Sequence, residues 1–188
     1  MRRILLTALA LFVASTLAPA ASAGELAGVS MADQVTVGDD TLVLNGMGLR
    51  KKFIIKVYVA GLYLPAKTKD AAKVMADDEA RRTVMHFLYG VSDDQLCEAW
   101  DEGLEANTPG AAAEVTKKFA DLCGMMESIE KGQQMVLTYV PGTGTRVEVN
   151  GKAKGTVEGP AFARALWATW VGPKPGPGED FKKALLGG

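Results

Sequence analysis

Lys52-Phe53-Ile54-Ile55-Lys56-Val57-Tyr58-Val59-Ala60-Gly61-Leu62-Tyr63-Leu64 is the run on which the fold turns. β-Branched and aromatic residues dominate it, the composition that suits a pleated, partly buried surface. Period-two alternation puts Phe53, Ile55, Val57 and Val59 on one face. Arg50, Lys52, Ile54, Lys56, Tyr58 and Ala60 fall on the other. The first face reads as core, while the second mixes apolar with charged groups. Pro65 ends the strand, because it has no N–H to give a ladder.

Upstream, residues 32–37 and 41–45 alternate as two strands around a Gly38-Asp39-Asp40 turn. Asn45-Gly46-Met47-Gly48 reads as a second turn. Downstream, residues 69–78 suit a short helix and residues 83–89 a strand. Ser92 with Gln95 three residues on makes a capping box. Leu96, Trp100 and Leu104 then recur as one buried helix stripe. Asn107-Thr108-Pro109-Gly110 stops that helix, and a second one is expected over residues 111–127, with Val115, Phe119, Leu122 and Met126 on one face.

The last third returns to strands, at residues 134–140, 145–149 and 152–157. Asn150-Gly151 is the hairpin signal between the final two. Gly159-Pro160 opens a helix carrying Phe162, Leu166 and Trp170, and the Pro/Gly run at 173–178 breaks it before a last helical turn at 181–186. Strands, then helices, then strands, then helix is the order of an α+β fold: a large antiparallel sheet with a helical layer on one face.

The N-terminus has a different character. Met1-Arg2-Arg3 is a short positive start, residues 4–17 are mostly apolar, and Ala21-Ser22-Ala23 has the small-x-small form of a cleavage site. The expectation is a signal peptide at residues 1–23, a domain at 24–188, and a periplasmic or secreted protein. The apolar run falls short of the roughly 20 residues that a membrane span requires. After cleavage no stable span is expected.

The formal net charge is −1 and no basic run stands out, so nucleic acid is not an expected partner. In an oxidising compartment Cys97 and Cys123, the only two cysteines, invite a disulfide. Such a bridge would contribute about 3 kcal/mol. Two buried thiols are the other reading. One histidine and no Cys-x-x-Cys leave too few ligands for zinc, so neither metal nor cofactor is expected.

Reactive constellations fail one by one. Gly46-x-Gly48 lacks the third glycine of a dinucleotide turn, and no Gly-x-Ser-x-Gly occurs. His86 lies mid-strand and reads as a sheet residue. Asp93-Asp94 sits in the first turn of a helix, where the dipole accounts for it. One pair remains, Arg50 and Tyr58. On a shared strand face, a guanidinium and a phenol together suit a carboxylate or phenolate. On pattern alone a second reading stands beside it: a solvated strand start and a half-buried aromatic.

The stretch from Leu44-Asn45-Gly46-Met47-Gly48-Leu49-Arg50 to Lys56-Val57-Tyr58-Val59-Ala60-Gly61-Leu62-Tyr63 resembles the core of the chalcone isomerase-like family, in its bacterial exported branch. Leu96-Cys97-Glu98-Ala99-Trp100, Tyr139-Val140-Pro141-Gly142-Thr143-Gly144, Val149-Asn150-Gly151, Gly159-Pro160-Ala161-Phe162 and Trp170-Val171-Gly172-Pro173-Lys174-Pro175 agree in order. The resemblance implies an open-faced sandwich with a cleft between sheet and helices. It implies either chalcone cyclisation or fatty-acid binding there. Arg50 matches an arginine of both branches, and Tyr58 matches the tyrosine of the fatty-acid binders. Leu96 and Gly103 fall where the enzymes carry tyrosine and asparagine. The expected function is therefore a non-catalytic, exported binding protein for a small apolar carboxylate such as a fatty acid. An isomerase or lyase on another substrate and a partner-binding envelope protein are the alternatives.

Overall fold

The computed structural model describes residues 22–76 and 78–188. Residues 1–21 of the expected leader lie outside the described residues. The described residues form nine strands and five helices: β1 (Ser22–Leu26), β2 (Val29–Ala32), β3 (Gln34–Val37), β4 (Asp40–Lys52), β5 (Ile55–Leu64), α1 (Ala71–Ala76), β6 (Arg81–Phe87), α2 (Asp93–Asn107), α3 (Ala113–Cys123), β7 (Gln134–Val140), β8 (Gly144–Val149), β9 (Lys152–Val157), α4 (Pro160–Val171) and α5 (Glu179–Leu185). Strands β3 to β9 form one antiparallel sheet in sequence order, and β1–β2 is a separate hairpin. This is the α+β architecture that the order of sequence patterns predicts.

The deciding run folds differently in one respect. It is not a single strand: β4 ends at Lys52, the chain reverses at Phe53-Ile54, and β5 starts at Ile55. Phe53 and Ile55, expected in the core, are exposed, Phe53 to 93%. From Tyr58 to Leu64 the strand is buried on both faces. Tyr58, Ala60, Leu62 and Leu64 join the core under the helices. Val59 and Tyr63 join a second core, capped by Val29 and Met31 of β2.

Asn45-Gly46 is also not a turn. Strand β4 runs straight through it, with an irregularity in the ladder to β5 between Leu44 and Gly46. The bulge leaves Asn45 unpaired in the ladder, and its buried amide is used elsewhere. Nδ2 donates to the Leu185 carbonyl at 2.7 Å, and the Thr68 N–H donates to Oδ1 at 2.7 Å. The next residue must be small: a Cβ on Gly46 would lie 2.2 Å from the Ala184 carbonyl oxygen. Asn45-Gly46 thus docks the C-terminal helix on β4.

Helix α4, Pro-Ala-Phe-Ala-Arg-Ala-Leu-Trp-Ala-Thr-Trp-Val, is apolar on nearly every side, the mark of a buried helix. It packs against α1, α2, α3 and α5. The capping box forms as the sequence predicts: Ser92 Oγ accepts from the Gln95 N–H at 3.2 Å, and Gln95 Oε1 accepts from the Ser92 N–H at 3.1 Å. At the far end of α2, Asn107 does more than stop the helix. Its amide donates to Lys174 O at 2.8 Å and its carbonyl accepts from Lys174 N at 2.8 Å, tying down the 173–178 segment.

Arg81, at the head of β6, is a buried cation that the sequence pattern does not mark. It donates to the Val74 carbonyl. Its guanidinium carbon stands 4.9 Å from the Tyr139 ring centroid and 5.2 Å from that of Trp167, two cation–π contacts that soften the cost of burying a charge.

Candidate functional site

Eight residues along one strand would set Arg50 about 27 Å from Tyr58, out of reach of a common small group. The reversal at Phe53-Ile54 removes that distance. Arg50 and Tyr58 are directly opposed partners in the β4–β5 ladder, and opposed residues share a face. The pair is therefore brought together, by register across a hairpin rather than by parity along a strand.

Both side chains are held by the segments that cover them. Arg50 is half-buried, and its Nη1 donates to the Gly176 carbonyl at 2.8 Å. Among the described residues no carboxylate pairs with it. A guanidinium has five N–H donors, so most remain for another acceptor. Tyr58 is 8% exposed, with its ring 5.5 Å from Phe87 and 5.9 Å from Phe181. Trp170 Nε1 donates to its hydroxyl at 3.2 Å. Burial pushes the phenol up to about 12, against smaller lowering effects of the Trp170 hydrogen bond and the Arg50 charge. Tyr58 is thus a neutral donor at ordinary pH, with its own proton left to give.

The two residues line a cleft of about 560 Å³ between the sheet and the helical layer. Val57, Met85 and Phe87 supply the sheet side, and Leu96, Ala99 and Trp100 the α2 side. Thr169 and Trp170 of α4 and Gly176 and Pro177 of the following loop close it. The volume lies within the roughly 300–1,000 Å³ of small-molecule pockets. Arg50, Lys52 and Lys174 bring positive charge to the lining and Glu102 brings one carboxylate.

Leu96 and Gly103 line this cleft and bring no side-chain donor to it. Gly103 has a packing reason: a Cβ there would lie 2.8 Å from Thr169 Cβ, so the glycine lets α2 and α4 close on each other. The Thr169 hydroxyl is turned back to its own helix, donating to the Leu166 carbonyl at 2.7 Å. Trp170, read from the sequence as one of a core stripe, is the partner that the pattern missed. Its polar indole edge on a buried stripe is the available signal, because a buried indole N–H requires an acceptor.

The remaining sequence candidates lie elsewhere. His86 stays on the sheet, with Nδ1 3.3 Å from Gln134 Nε2. Among the described residues no cluster suits a metal ion. Cys97 on α2 and Cys123 on α3 are free, half-buried thiols. The Cys123 thiol is raised first by burial and then by the neighbouring Cys97 thiol.

No curated protein matches the sequence. Among solved structures, the chain resembles the fatty-acid binding protein AtFAP1 of Arabidopsis thaliana, with a TM-score of 0.63 and 18% identity, over 85% of this chain and 92% of that one. The likeness is one of fold. The family model described as chalcone isomerase-like matches residues 23–187, almost the whole chain. By that match, and by the seven-stranded sheet with its helical layer and cleft, the chain belongs to the chalcone isomerase-like family.

Proposed function

We propose that the chain is an exported, non-catalytic binding protein for a small apolar molecule with an anionic head, a fatty acid being the best-fitting class. The observation that carries this reading is the polar end of the cleft. There the Arg50 guanidinium, with no carboxylate partner among the described residues, faces the same side as the Tyr58 hydroxyl. A carboxylate head would accept from the remaining Arg50 N–H groups and from the Tyr58 O–H. The tail would lie along Val57, Met85, Phe87, Leu96 and Trp100. The fold likeness to a fatty-acid binding protein supports the same reading.

Absence of side-chain donors at Leu96 and Gly103 supports binding over catalysis. Proton transfer and oxyanion stabilisation require positioned polar groups, and this wall supplies none from those two positions. Export rests on the leader pattern of residues 1–23. No helix among the described residues is long and apolar enough to cross a membrane.

Calorimetric titration of the delipidated protein with a long-chain acid tests the proposal. One saturable site is expected, and no acceleration of chalcone cyclisation over the spontaneous rate. No heat of binding would end the ligand reading, and an Arg50-dependent cyclisation would replace it with the isomerase.

A further inference from the structure

Four large apolar side chains are strongly exposed among the described residues: Phe53 at 93%, Ile54 at 95%, Ile55 at 42% and Tyr89 at 54%. They are not scattered. Phe53, Ile54 and Ile55 form the tip of the β4–β5 hairpin, and the Tyr89 N–H reaches the Val57 carbonyl beside it. Folding does not account for this tip. A two-residue reversal with positive φ favours glycine or asparagine, yet φ 56 is held by Phe53, a bulky aromatic for which that conformation is strained. Strain combined with nearly complete exposure of two apolar side chains points to a use outside the folded chain.

The flanking charge identifies the partner. Arg50, Lys51, Lys52 and Lys56 surround the tip, and residues 50–56 contain no acid. Apolar side chains at the end of a projection, ringed by long cationic ones, fit a lipid surface. The apolar pair enters the acyl boundary while the amines reach the phosphates. We propose that Phe53 and Ile54 insert into the surface of an anionic phospholipid bilayer, with Lys51, Lys52 and Lys56 on the headgroups. Lys52, Phe53, Ile55 and Tyr89 also line the cleft, so a tip seated in lipid would open the cleft toward the bilayer. That last consequence rests on the ligand reading above. The lipid contact stands on the tip alone.

Co-sedimentation with vesicles tests it, using the protein as isolated from the cell, with wild type and variants in the same processed form. Wild type should bind phosphatidylglycerol-containing vesicles, bind pure phosphatidylcholine weakly, and lose affinity as salt rises. Phe53→Asn/Ile54→Ser should bind at least about tenfold more weakly, with an unfolding midpoint no lower than wild type, because both side chains are exposed and asparagine tolerates the φ. Lys51→Gln/Lys52→Gln should lose roughly fivefold per lysine. Ile54→Ser alone, at a residue that does not line the cleft, should weaken vesicle binding yet still bind a long-chain acid in vesicle-free solution, which separates this proposal from the ligand reading. The idea is overturned if wild type ignores anionic vesicles, if the tip variant binds them equally, or if the variant abolishes only self-association.

Discussion

The Trp170 indole donates to the Tyr58 hydroxyl across 3.2 Å, deep under the helical layer, while Arg50 stands opposite Tyr58 in the neighbouring strand. The phenol is thereby fixed from one side, and burial keeps it protonated well into the alkaline range, up to about 12, against the smaller lowering effects of Trp170 and Arg50.

That shift makes a pH prediction with a definite sign. The unfolded phenol ionises near its ordinary 10.0, the folded one near 12. Between these values the unfolded state has lost the proton that the folded state keeps, so stability falls as pH rises. Tyr58→Phe removes this effect but leaves the indole N–H without its acceptor, a cost of about 1 kcal/mol. At neutral pH the variant should therefore be less stable. By about pH 11.5 the wild type should have lost about 2 kcal/mol through Tyr58, and the order should reverse. Urea unfolding of both proteins at the two pH values measures it. A constant gap would mean that the folded phenol ionises normally.

Gly46 supports a packing prediction. A Cβ there meets two backbone carbonyl oxygens, Ala184 O at 2.2 Å and Leu185 O at 2.7 Å, neither of which can swing away. Gly46→Ala should destabilise by about 1–3 kcal/mol through displacement of α5 from β4. Gly124→Ala is the control, since its nearest neighbours lie at 3.5 and 3.6 Å and its φ is −62. It should be neutral or stabilising. Equal denaturation midpoints for the two variants would show that α5 is not tightly docked.

The same segment shows what the sequence could and could not reveal. Alternation and turn chemistry placed β7 and β9 to the residue and the Ser92 capping box correctly, because there local preference and tertiary packing agree. Around β4 and β5 they disagree. Asn45-Gly46 looks like a turn, but its amide and its missing side chain serve the contact with α5. Phe53-Ile54 has no turn chemistry and is the real reversal. The β1–β2 hairpin escaped notice, since the pattern near residue 24 is short. Arg50 and Tyr58 were legible as residue types; their closeness was not, because it depends on the reversal.

Cys97 and Cys123 are expected to bridge in an oxidising compartment. Cys97 on α2 is close enough to Cys123 on α3 to raise its thiol. Burial and the neighbouring Cys97 thiol hold the Cys123 thiol in its protonated form, so bridging should be slow at neutral pH and speed up as pH rises. Thiol titration after oxidation should find neither group free, and reduction should cost about 3 kcal/mol of stability. Two titratable thiols in material taken from outside the cytoplasm would refute the bridge.

The ligand head provides the sharpest test of the site. A guanidinium facing an apolar cleft is costly unless its charge is paired, and Gly176 O offers it only one neutral acceptor. A carboxylate supplies the missing charge, and charge-assisted hydrogen bonds of this kind contribute roughly 1.5–3 kcal/mol each. Arg50→Ala should therefore weaken binding of a long-chain acid by about one to two decades, at about 1.4 kcal/mol per decade. Tyr58→Phe should weaken it less, because it deletes one hydroxyl and leaves the guanidinium in place. The methyl ester of the same acid keeps the tail and loses the charge. It should bind wild type poorly and barely notice Arg50→Ala. Calorimetry on delipidated protein reads all four cases. If wild type and Arg50→Ala bind the acid equally, Arg50 is a solvated strand residue latched to the 173–178 loop, and the head of any ligand lies elsewhere.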